Sequence, residues 1–535
     1  MVLLVLAAIA AVALHRAEPF VRARIVDELQ NRFHARVELD SFHMSLLDGL
    51  QAEGKGLRIW PPNQVQGIAG PGEPGTGDPM ISLADFRFRA PLRYQQGQPF
   101  HISIVQLKGL DVRLPPKSHF ENSPQDAPGK GSQDDIHPGS LHFALDKVVC
   151  EDARLLMETS KPGKLPLEFQ IAHLNLTGIG AQGQMHFEAE LTNPRPVGTI
   201  HTHGEFGPWE VSDPGQSPVE GDYEFDHADL SGFKGIAGIL NSTGHYKGTL
   251  RDIVVDGETN TPDFELTHFG NKLPLHTHFH ARVDGTNGDT WLEPVDATLG
   301  HSHFTAQGQV VRVMMSSPGV PPHSGGHDIA LNVNVDHSHM EDFLNLASRS
   351  PTPLLTGALT LKALLHIPPG SAPVHQRMML NGKFALDHAQ FTSDKIQGKI
   401  ESLSERGLGR PKDVKTTDPD SVQSAMQGDF KMAAGVITLP NLQYTVPGAE
   451  IDLAGTYGVD GGTLNFAGNA KLQATVSQMV GGWKGMLLKS VDHYFKKDGA
   501  GTEVPIHVEG TRDDPKFGVD LGPIKVTAPA RSGEK

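Results

Sequence analysis

The spacing of hydrophobic positions changes twice along this chain. Met1–Leu14 is an unbroken apolar run, and Glu18-Pro19 then opens a stretch in which Val21, Ile25, Leu29 and Phe33 recur at helical spacing, with proline at the first helical position. From Arg36 the period becomes two. Val37, Leu39 and Leu50–Trp60 read as strands divided by Asp48-Gly49 and Gly54-Lys55-Gly56. Alternation persists through Ile102–Leu107, Leu167–Leu176, Met185–Leu191, Leu275–Val283, His303–Val313, Ile329–Val335, Ala358–Leu365 and Ala449–Gly455. Two helical patterns interrupt it, near Met340–Ala347 and at Ala474–Phe495.

Strands with one apolar and one polar face need cover on the apolar side. They can pack as sandwiches, or the sheet can curl into a trough with an apolar interior. About twenty strands spaced roughly 4.8 Å apart would make a trough about 100 Å long, a path rather than a pocket. The fold expected is therefore mainly β: an elongated, curled antiparallel sheet forming a long apolar groove, with an N-terminal membrane-anchor helix and a C-terminal amphipathic helix.

Pro61–Pro79, Pro115–Ser140 and Ser404–Gln427 are dense in Pro, Gly, Ser and charge and read as surface loops. The expected organisation is an anchor and following helix over 1–34, a β groove over 35–403 and a flexible linker over 404–427. A C-terminal β region over 428–522 carries the helix 474–495, and 523–535 is a disordered tail. Met1–Leu14 is shorter than the roughly 20 residues of a membrane span. It is either a signal peptide, with Ala11-Val12-Ala13 as the cleavage site, or the outer part of an anchor that begins upstream. The missing basic flank favours the anchor. Both readings export the rest of the chain.

Composition narrows the function. Gly 59 and Pro 39 favour turn-rich β structure, and the formal charge of −16 argues against a nucleic-acid partner. The single Cys150 cannot form an internal disulfide. The 28 histidines are numerous enough that protonating all of them would reverse the sign of the formal charge.

Histidine also makes the most conspicuous local pattern. In Leu275–Val283, His276, His278, His280 and Arg282 share one strand face, while Leu275, Thr277, Phe279, Ala281 and Val283 share the other. Pairs recur at His201/His203, His301/His303 and His337/His339. Imidazoles at this spacing can chelate zinc or copper, which makes His276, His278 and His280 candidate metal ligands. The plainer reading is the polar face of a one-sided sheet written in histidine, and it is favoured because no acidic or cysteine ligand recurs with the pairs.

Gly178-Ile179-Gly180-Ala181-Gln182-Gly183 matches a dinucleotide-binding fingerprint, but an alternating strand follows it, where that motif needs a helix N-terminus. It reads as a turn. No P-loop, H-E-x-x-H or G-x-S-x-G occurs. In the C-terminal helical pattern, Val476, Met479, Val480, Trp483, Leu487, Val491, Tyr494 and Phe495 form an apolar stripe beside Lys484, Lys489, Lys496 and Lys497. This is either a cover for an open sheet edge or an interfacial helix touching anionic lipid, with Trp483, Lys484, Leu487, Lys489 and Tyr494 at the membrane.

Both ends of the chain resemble the AsmA-like family of envelope proteins. The resemblance rests on Glu18-Pro19-Phe20-Val21-Arg22-Ala23-Arg24-Ile25-Val26, Ala35-Arg36-Val37-Glu38-Leu39 and Ser45-Leu46-Leu47-Asp48-Gly49-Leu50 at the start. At the end it rests on Gly448–Tyr457, Gly462–Phe466 and Val504–Thr511. It implies an inner-membrane protein with a single N-terminal span and a periplasmic body, related to bridge-like lipid carriers. Phospholipid or another acyl-chain lipid would be its partner, together with the inner membrane and outer-membrane assembly factors. Leu275, Phe279, Val283 and Phe304 are the expected groove lining. No catalytic residue and no cofactor come with the resemblance. The alternatives are a scaffold for outer-membrane protein assembly that binds no lipid, and a histidine-rich metal-binding periplasmic protein.

Overall fold

The computed structural model describes residues 18–30, 35–45, 50–60, 78–90, 100–114, 143–158, 164, 166–179, 184–194, 196–210, 213–233, 235–268, 271–317, 320–348, 350, 352–370, 372–411, 423–459, 461–480, 489, 492, 501–512, 514–520 and 525–526. Among them, 25 strands belong to one sheet and two more form a separate pair. The large sheet curls into a half-barrel. Nearly every strand pairs antiparallel with its successor, as the short turn-bounded runs require.

One joint departs from the antiparallel expectation. Val105–Leu114 pairs in parallel with Lys147–Met157, and Phe100–Ile102 pairs in parallel with Phe143–Leu145. Parallel neighbours cannot be joined by a tight turn. The connection contains Pro115–Ser140, which lies outside the described residues, as does 61–77 of the other expected N-terminal loop.

The alternation produces two unlike faces. Along Lys272–Asp284, Leu275, Thr277, Phe279 and Val283 are half-buried and Ala281 is buried, while Lys272, His276, His278 and Arg282 are exposed. Side chains converge on the inside of a curl and diverge on its outside, so the shielded apolar face is the inner wall.

Helices close that wall at both ends of the sheet. The helix at 18–30 lays Val21, Ile25 and Val26 on Leu39, Phe42, Leu83 and Phe86. The run Met1–Leu14 lies outside the described residues, and no helix among those described is long and apolar enough to cross a membrane. Toward the C-terminus, Met340–Leu346 and Asp394–Gly407 cover Leu359, Leu386, Tyr444, Ile451 and Leu472. Asp342 pins the first of these helices by accepting from the His301 amide (2.9 Å) and Ser302 Oγ (2.8 Å).

Several expected boundaries move. Of the linker expected over 404–427, residues 412–422 lie outside the described residues, and the strands before and after them pair directly. The helix continues to Gly407, where Ser404 Oγ donates to the Pro447 carbonyl at 2.8 Å, and strand Ala425–Ala433 pairs directly with Met379–Phe391. Polar residues there looked like loop because the helix's apolar face is narrow. Of the helix expected over 474–495, Val476–Val480 is helical and Lys489 is exposed; Trp483, Lys484, Leu487 and Tyr494 lie outside the described residues. In the expected tail, Lys525-Val526 pairs with Val519-Asp520.

Candidate functional site

Between the helix-covered stretches, the inner wall over Met185–Val283 carries Phe187, Tyr223, Phe225, Tyr246, Val255, Leu275, Phe279 and Val283 half-buried rather than sealed. The ladder aligns them in rows across the strands. One row runs through Thr202, Tyr223, Gly244, Gly257, Phe279 and Val295, each directly opposite the next. No residue in this row is charged. Neighbouring rows add Phe225, Tyr246, Val255 and Ala281.

Glycine and aromatic residues alternate here for a steric reason. A Cβ on Gly257 would stand 2.9 Å from Phe279 Cζ, one on Gly244 would stand 2.8 Å from Tyr223 Cε1, and one on Gly221 would stand 2.8 Å from the Tyr246 hydroxyl. The rings therefore lie down over glycine backbone, and the wall is smooth where upright rings would fill the curl. Aromatic cover over glycine is a recognised way to keep a curved sheet packed.

The hydroxyls along the central rows are engaged with one another or with backbone carbonyls, and the Thr261 hydroxyl, opposite Leu275, is buried without a partner among the described residues. Thr259 and Thr277 hydroxyls meet at 2.7 Å, Tyr246 and Thr202 at 2.7 Å, and Tyr223 and Ser242 at 3.0 Å. Thr202 and Ser242 in turn donate to the Asp222 and Glu258 carbonyls, both at 2.8 Å. Burial pushes the Tyr223 and Tyr246 phenols up, so both stay neutral. What the wall offers a ligand is hydrocarbon and ring surface.

Leu275, Phe279 and Val283 stand on this open part of the wall. Phe304 shares the face, opposite Ala297 and Val335, but its ring packs at 6.1 Å against Phe343 of the covering helix. Sequence alternation could place Phe304 on the face; only the fold shows that a helix sits on it.

The histidines line the outer face, where the structure supplies acidic partners that the sequence pattern hid. One outer row runs Glu188, His203, Asp222, His245, Asp256, His280 and Glu293, acid and imidazole alternating across seven strands. His245 Nδ1 lies 3.0 Å from Asp222 Oδ1, His280 Nδ1 lies 2.5 Å from Asp256 Oδ1, and His278 Nε2 lies 3.6 Å from Glu258 Oε2. The absence of acidic neighbours in sequence was therefore misleading, because partners on adjacent strands are some twenty residues away. His276 faces Asn260 and Thr298. A shallow depression of about 420 Å³ crosses this face beside His173, His201, His203, Glu188, Glu190 and Asp222. Among the described residues, no three His, Cys, Asp or Glu side chains converge as a metal ion needs, His276, His278 and His280 included. Gly178, with φ of +74°, sits between strands Leu167–Thr177 and Met185–Pro194 and opens no helix.

Comparison with known proteins gives no relative: no family model, curated protein or solved structure matches this chain.

Proposed function

We propose that this protein carries acyl chains along the inner wall of its curled sheet, as an inner-membrane-anchored periplasmic protein of the AsmA-like kind that serves phospholipid transport or outer-membrane biogenesis. The supporting observation is the row from Thr202 to Val295: an uncharged, glycine-flattened wall whose hydroxyls are mutually satisfied. Such a wall has no directional bond to give, and each methylene moved onto it from water contributes about 0.8 kcal/mol. A chain held that way is retained yet free to slide. A reaction site would instead need convergent polar groups.

The test is lipid analysis of the protein purified without detergent. Stoichiometric phospholipid, lost in Phe279→Asp and Phe225→Asp variants that remain folded, is the expected result. Folded protein free of lipid would reject the reading in favour of the assembly scaffold.

A further inference from the structure

From Lys147 onward the ladder is antiparallel throughout, so successive connections alternate between two rims of the curl. Among the described residues, contacts between the two rims occur at three places. On the first rim, Lys164 precedes strand Leu167–Thr177; its Nζ donates to Asp289 Oδ1 at 2.9 Å and also to the Arg312 carbonyl, both on the far side of the mouth. This pair is deeply shielded, with side-chain exposures of 14% for Lys164 and 5% for Asp289. Asp289 Oδ1 also accepts from the Arg312 amide at 3.0 Å.

The second contact brings the ring of Phe233 to within 6.1 Å of the His327 ring, edge on, and Gly235 against the Val374 side chain. At the third, Arg512 Nη1 donates to Ser348 Oγ at 2.9 Å, Lys395 lies 4.0 Å from Asp514, and Lys399 Nζ lies 4.6 Å over the Phe517 ring.

The three share one geometry. From Lys164 to Asp289, from Gly235 to Val374, and from Ser348 to Arg512, the first rim meets the second seven strands further along, leaving out the short Ile236–Ala237 strand, while Lys395 and Lys399, on the helix Asp394–Gly407, reach it five strands along. The fastened stretches overlap and together run from Leu167 to Thr511. Seven strands displace the rim by about 34 Å and a ten-residue strand spans about 33 Å, so the closed path is about 47 Å around and about 15 Å across between backbones. That is the girth of an eight-stranded barrel, whose interior admits side chains or one small ligand.

We infer that the mouth of the groove is a staggered seam, fastened at these three places, and that a hydrocarbon-bearing ligand threads along it in single file from an end instead of entering sideways. The inference rests on the proposed acyl-chain function and adds the route. The buried Lys164–Asp289 pair is its tightest fastening.

The test seals the seam in the full chain. Lys164→Cys with Asp289→Cys, and separately Ser348→Cys with Arg512→Cys, are joined by a short bismaleimide; native Cys150 is buried and does not compete. Uptake of a tail-labelled fluorescent phospholipid from phosphatidylethanolamine and phosphatidylglycerol vesicles is then followed. The seam predicts that both joined proteins form the link and load within about twofold of the wild-type rate. A tenfold or greater loss in a joined, folded protein would overturn end-on threading while leaving acyl-chain binding intact. Failure of both pairs to link would show that the rims do not meet, and a wild-type chain that takes up no lipid would remove the function and the route together.

Discussion

The ring of Phe279 lies across the backbone of Gly257, its direct partner in the ladder, with Cζ 2.9 Å from where a side chain on the glycine would begin. The Tyr223 hydroxyl and the Thr243 carbonyl approach the same point, at 2.7 and 2.9 Å. Three neighbours thus converge on the absent Cβ, and the flatness of the inner wall depends on that absence.

Gly257→Leu should therefore lift the Phe279 ring and overpack the wall, costing about 1–3 kcal/mol. Denaturant unfolding would record the loss. The same substitution at Gly232, where a Cβ meets nothing within 4 Å, should have little effect and serves as the control.

Lys164→Ala leaves the shielded Asp289 carboxylate without its directly paired ammonium, with the Arg312 guanidinium still nearby. Breaking a buried pair from one side costs about 3–5 kcal/mol, which is roughly a hundredfold to five-thousandfold in a local opening constant. Hydrogen exchange across Asp284–Thr290 should accelerate accordingly, with strands near Phe466 unchanged.

Cys150, 1% exposed, lies between Leu107 and Leu174 in the ladder. Burial pushes its thiol up to about 11. At pH 8 the thiolate fraction is on the order of 0.1%, so native protein should resist alkylation for hours and denatured protein should react within minutes. Rapid labelling of the native chain would contradict the packing of this strand.

A hydrogen bond from Arg154 holds the Glu168 carboxyl below its usual range, and the same guanidinium reaches Asp111 at 3.2 Å. A lowered carboxyl contributes stability that is present above its unfolded pKa, near 4.3, and is lost as pH falls through the lower folded value. Arg154→Gln should therefore destabilise by up to about 1 kcal/mol at pH 7, the pair being partly exposed. That gap should close in paired unfolding curves as pH falls from about 4.3 through the lower folded value.

The strands were legible because their period is two and their ends carry Gly, Pro, Asn and Asp: Leu275–Val283 extends by only a few residues to Lys272–Asp284, and Met340–Leu346 is helical where expected. Relations between strands were not legible. Gly257 and Phe279, or Asp256 and His280, become neighbours only once the register is set by the Asp252–Leu266 and Lys272–Asp284 pairing. The helix Asp394–Gly407 was missed because it turns Gln397, Glu401 and Ser404 inward, polar residues that a binary pattern assigns to loop. Rim contacts such as Lys164 to Asp289 depend on accumulated twist and curl over seven strands, which no local pattern encodes.

The parity of adjacent positions gives the most direct test of the central claim. A photoreactive benzophenone amino acid placed at Phe279, on the inner wall, and separately at His278, on the outer face, is activated in living cells expressing the full chain and carrying radiolabelled lipid. The acyl-chain function predicts a lipid adduct at 279 and none at 278. Equal labelling at both positions, or none at 279 in folded protein, would contradict it.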